Sequence, residues 1–168
     1  MPTERRPQRD RLALRGALLR LTPPLETIVE DVLGVVSRID LVTRDPDGAV
    51  TVVLVAQAGA DLARLAEGIA HRAWLAPRLA DWNQLAPHLA LAADRGARLL
   101  LVAPRFDDRT RAAVEALGAD GVRLAELFPR GDLDVELRVL ELEGPVEPAQ
   151  QQAPSTRRES GFRSGLRD

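Results

Sequence analysis

The chain has 168 residues, 45% hydrophobic and 29% charged, enough for one domain with its own core and little more. All 23 basic residues are arginine, which excludes a lysine Schiff base, a lysine general base and a P-loop lysine. There is no cysteine, there are only two histidines (His71 and His88), and no apolar run approaches the ~20 residues of a membrane helix, so thiolate metal sites are excluded and a cytoplasmic protein with no membrane contact is expected.

Residues 1–20 carry six arginines against Glu4 and Asp10 and form a basic N-terminal arm. Leu12, Leu14, Leu18 and Leu19 make an imperfect apolar stripe there, so the arm is expected as a frayed helix lying on the domain. Thr22 is a credible N-cap and Pro23 suits the first helical position. With Leu25, Ile28, Val29, Val32 and Leu33 as a buried face and Gly34 as a stop, the spacing predicts a helix over about 22–33. Strands follow at about 35–44 and 49–57, joined by Asp45-Pro46-Asp47-Gly48, a turn sequence that makes them a hairpin.

A long helix is predicted from about Asp61 to Leu79, with Leu62, Leu65, Ile69, Trp74 and Leu75 on or near its buried side. Arg98 to Ala103 is a continuously apolar strand of the kind found inside a sheet covered on both faces. Asp107 or Asp108 can cap the next helix, which stops near Leu117-Gly118. Strands at Val122–Leu127 and Asp134–Glu143 complete the order αββαβαββ, an α/β class. Residues 21–143 form this domain. Between 21 and 144 it holds 13 arginines against 20 acidic residues, a poor match to the clustered positive face that duplex binding needs. From 144 to 168, proline, glutamine, serine and arginine mark a disordered tail.

The segment from Arg38 to Gln57 carries the one constellation with a chemical meaning. Asp40 lies on the first hairpin strand, and Val55-Ala56-Gln57 ends the second. This layout resembles the PD-(D/E)XK nuclease superfamily, in particular its RecB-like and mismatch-endonuclease-like branches. The later Leu101-Val102-Ala103-Pro104-Arg105-Phe106 and the helix bearing Glu67, His71 and Trp74 are similar to that family's later core elements in order and spacing. The resemblance implies a restriction-endonuclease-like three-layer sandwich, a central mixed sheet flanked by helices. It also implies an Asp on one strand and a Glu-x-Lys on the next, holding a divalent ion and steadying the attacking water. Here the Asp is Asp40, the Glu position is Val55 and the Lys position is Gln57.

Two functions follow from that pattern. The first is a catalytically degenerate nuclease-fold domain, with Asp40 and Gln57 as vestiges of the catalytic set and no cofactor. It acts by binding a protein partner or a copy of itself, with nucleic acid as a further possibility. The alternative is a divergent Mg²⁺- or Mn²⁺-dependent endonuclease in which Glu26, Asp40 and Glu67 ligate the metal and Gln57 orients the water. Loss of activity needs one substitution and relocation needs several, which favours the first. His71, beside Arg72 and Trp74, is expected as a half-buried core histidine.

Overall fold

The computed structural model describes residues 5–118, 121–131 and 134–142, with side chains from residue 10 onward. The tail at 144–168 lies outside the described residues. The elements are helix α1 (Arg5–Leu19), strands β1 (Glu26–Leu33), β2 (Arg38–Arg44) and β3 (Val50–Val55), helix α2 (Asp61–Leu75), a 3-10 turn at Ala76–Arg78, helix α3 (Leu79–Leu85), strand β4 (Ala97–Ala103), helix α4 (Asp108–Leu117), and strands β5 (Val122–Pro129) and β6 (Val135–Val139).

All six strands form one mixed sheet in sequence order. The first three are an antiparallel meander. β4 and β5 then join β3 in parallel, after crossovers through α2 and α4, and β6 closes the sheet antiparallel. The core has two parts, as the alternation along β4 requires. Leu99 and Leu101 pack with Leu54, Leu65, Leu75 and Val114 from the α2 and α4 side, whereas Leu100 and Val102 pack with Leu14, Leu18, Leu41 and Leu137 from the α1 side.

Three expectations need correction. The segment read as a helix over 22–33 is mostly strand β1, so the order gains a strand and the three-stranded meander is complete. Thr27, Ile28, Val29 and Val32 are β-branched, and the register from Glu26↔Arg44 to Leu33↔Arg38 gives them a partner strand. The expected frayed arm is a helix that supplies buried Leu14, Ala17 and Leu18 to the core. The long helix ends at Leu75, and its inward residues are Asp61, Leu65, Gly68, His71 and Leu75, with Leu62 and Ile69 exposed.

The β2–β3 hairpin stands as read. The Asp45 carboxylate accepts the Asp47 and Ala49 amides at 3.0 and 2.9 Å, and Gly48 takes φ 79°, a conformation that favours glycine. No described helix is long and apolar enough to cross a membrane.

Candidate functional site

Three elements meet at the end of the sheet where β3 finishes. β2 supplies Asp40, the β1–β2 tip supplies Gly34 and Ser37, and α2 supplies Arg64, Glu67 and His71, spaced three and four residues apart so that they share a helix flank. Gly34 lets the tip reach that flank, since a Cβ there would lie 2.3 Å from His71 Nδ1 and 2.9 Å from the Ser37 carbonyl oxygen. The Gly34 amide donates to that same carbonyl at 2.9 Å, closing the tip.

Arg64 is the hub. Its Nη2 donates to Asp40 Oδ2 at 2.8 Å, and its Nη1 donates to Glu67 and, at 3.2 Å, to Ser37 Oγ. Asp40 Oδ2 also accepts the Val55 amide at 2.7 Å. Asp40 is therefore held by an arginine of α2 and a backbone amide of β3, neither of which its sequence neighbourhood suggests.

Ser37 fixes the protonation pattern of the rest. Its Oγ lies 2.8 Å from Glu67 Oε2 and 3.1 Å from His71 Nε2. A carboxylate only accepts, so the single hydroxyl proton goes to Glu67, and the oxygen then accepts from Arg64 and from His71 Nε2–H. His71 thus carries its proton on Nε2, and its buried Nδ1 faces Gly34 without a hydrogen-bond partner among the described residues. Burial, reinforced by the nearby Arg64, pushes the His71 pKa down and keeps the ring neutral. The Ser37 hydroxyl and, next, Arg64 hold the Glu67 carboxyl below its ordinary range against the opposing effect of burial.

The candidate residues divide accordingly. Asp40 and Glu67 are brought together, with the Arg64 guanidinium between them. Glu26 is not with them, because it pairs with Arg44 in the sheet register, four residues along β2 from Asp40, or ~13 Å away. Its carboxylate takes Arg44 Nε and Nη2 at 3.0 and 2.9 Å. Its displacement follows from the strand that replaces the expected helix. Gln57 is exposed beyond the end of β3, and its side chain makes no hydrogen bond among the described residues. Val55, at the Glu position, is 39% exposed. Among the described residues no three His, Cys, Asp or Glu side chains are grouped to hold a metal ion. Sequence reasoning missed Arg64 and Ser37. The available signal was the polar run Arg64, Glu67, His71 at helical spacing.

No protein-family model matches the chain, and no curated protein does. Among solved structures it is similar to a repair endonuclease from Pyrococcus abyssi, with 18% identity and a TM-score of 0.44, over 62% of this chain and 39% of that one. The chain therefore spans about two fifths of the length of the protein it matches.

Proposed function

We propose that this chain is a catalytically silent domain of restriction-endonuclease-like architecture that works by binding, with a protein partner or a second copy of itself preferred over nucleic acid. The observation that carries the reading is the Arg64 guanidinium lodged between Asp40 and Glu67. A metal-dependent nuclease needs those carboxylates free to share a divalent ion. Here a resident cation pairs with both, and against the cost of its burial the carboxylates raise its pKa further, so it stays charged at any physiological pH. With valine and glutamine at the Glu and Lys positions, the remaining groups supply neither a second strand carboxylate nor an ammonium to steady a nucleophile. The acidic body, with 13 arginines against 20 acidic residues between 21 and 144, supports a protein partner over a polyphosphate.

The test is a calorimetric titration of the full chain with Mn²⁺, beside a cleavage assay on labelled single- and double-stranded DNA. The expected result is no binding at Asp40 and no cleavage. Mn²⁺ binding that disappears in Asp40→Ala, accompanied by cleavage, would overturn the reading and establish the metal-dependent alternative.

A further inference from the structure

A strand at the margin of a sheet carries a row of unpaired amides and carbonyls, and proteins ordinarily blunt such margins with bulges, charges or proline. The two margins of this sheet differ. β1 is blunted, because its register shifts between Thr27 and Val29, Asp31 takes φ 55°, and Glu26, Glu30 and Asp31 make three of its eight residues acidic. β6 pairs with β5 without a shift and contains neither proline nor glycine. Along β6 and its flanks the even-numbered residues bond to β5, since the Asp134 carbonyl accepts the Arg130 amide at 2.8 Å and the Leu140 amide donates to the Leu124 carbonyl at 2.9 Å. The antiparallel alternation therefore turns the amides and carbonyls of Val135, Leu137 and Val139 outward. The Val135 carbonyl accepts Arg20 Nη2 of the α1 end at 2.6 Å and keeps a second lone pair. Among the described residues, none bonds to the outward groups of Leu137 and Val139. A cleft of about 460 Å³ lies alongside, between Ala17 and Leu21 of the α1 end and Leu137.

We propose that β6 pairs antiparallel with β6 of a second copy of the chain, across a two-fold axis at Leu137, so that two six-stranded sheets join edge to edge. The order Val135-Glu136-Leu137-Arg138-Val139 singles out a second copy, because it complements itself when reversed. About that axis Leu137 meets its own copy and Val135 meets the partner's Val139, and these hydrogen-bonded pairs use the outward amides and carbonyls. Glu136 meets the partner's Arg138 and Arg138 meets the partner's Glu136, in the non-hydrogen-bonded pairs where opposed side chains stand closest. The two side chains are 29% and 60% exposed, so both can be reached. Centring the axis on Glu136 or on Arg138 would set that residue against its own copy, so charge selects one register. Val135, Leu137 and Val139 pack on the α1 side of the core, and the pairing continues that apolar layer across the joint. An unrelated peptide strand would add through its backbone and has no use for a charge order that complements itself. The inference rests on the reading of the domain as a binding module and names its partner.

Sedimentation equilibrium on the full chain tests it, with circular dichroism to show that each variant is folded. A concentration-dependent dimer is expected. E136R sets arginine against the partner's Arg138 and R138E sets glutamate against the partner's Glu136, each twice by symmetry, so either should associate at least ~10-fold more weakly. The double variant E136R/R138E restores opposite charges and should recover the dimer, and mixing E136R with R138E should give a heterodimer. V139P removes an outward amide that the sheet of a single chain does not use, at an edge position where proline is tolerated, and should be monomeric. A chain that stays monomeric at all concentrations, a dimer that persists in V139P and in both single charge variants, or a double variant that fails to recover would overturn the contact. None of these results would touch the silent site, which is read by Mn²⁺ titration.

Discussion

Replacing Arg64 with methionine keeps most of the aliphatic stem and removes the cation that joins Asp40, Glu67 and Ser37. A hydrogen bond to a charged partner contributes about 1.5–3 kcal/mol, and Arg64 makes one such bond to each carboxylate. The sum is discounted because the Asp40 and Glu67 side chains are 32% and 36% exposed and solvent screens them. The net expectation for Arg64→Met is a loss of about 2 kcal/mol at pH 7, or a urea midpoint lower by about 1 M at an ordinary m-value. The pH dependence adds a second reading. Glu67 has a folded pKa below its unfolded value, so its contribution is fully present above about pH 4.3 and is lost as pH falls through the folded value. Part of that lowering comes from Arg64, so the variant should lose stability less steeply in acid and the gap to the unaltered chain should narrow below about pH 4. Urea titrations at pH 7 and pH 3.5 decide it. A difference under about 0.5 kcal/mol at pH 7, or a gap that does not change with pH, would refute the role given to Arg64.

Gly34→Ala should cost about 2 kcal/mol, because its Cβ would meet the buried His71 ring and the Ser37 carbonyl, whereas Gly16→Ala, with its nearest neighbour at 3.8 Å, should be neutral or stabilising; paired thermal melts compare them. Leu18→Ala, at a fully buried position, should cost about 2–5 kcal/mol in chemical denaturation if α1 belongs to the cooperative unit. A cost near zero would show that α1 is detachable.

The hairpin that carries Asp40 was legible because its signals are local. Asp45 and Gly48 specify the turn through their own backbone bonds and φ preference, independently of the rest of the fold. β1 was not legible, for a reason also visible in its geometry. Its register shifts between Thr27 and Val29, and Asp31 takes φ 55°, so the period-2 alternation of a strand is broken twice within eight residues. The resulting spacing of Leu25, Ile28, Val29 and Val32 imitates a helix, and Pro23 and Gly34 supply matching punctuation. Only pairing with β2, a tertiary fact, resolves the ambiguity. In α2 the error had a different source. Apolar character alone puts Leu62 and Ile69 on or near the buried side, while the face that packs inward includes the polar or small residues Asp61, Gly68 and His71. At Gly68 an added Cβ would lie 2.7 Å from Leu99, so the inward position is set by how closely the helix approaches β4 and not by hydrophobicity.

The site shows the same divide between local and distant information. Asp40 invites a catalytic reading because its place on the hairpin, across from Val55-Ala56-Gln57, resembles a nuclease carboxylate position, and a carboxylate beside an apolar core costs free energy unless something holds it. In the structure that carboxylate has defined partners. It receives the first amide beyond Leu54 on β3, ties β2 to α2 through Arg64, and shares that arginine with the Ser37–Glu67 arrangement that fixes the hairpin tip. Two partners, the Val55 amide and the Arg64 guanidinium, hold the side chain in place. Under the proposed reading, what silences this carboxylate pair is the charge lying between them, and that charge comes from a residue 24 positions along the chain.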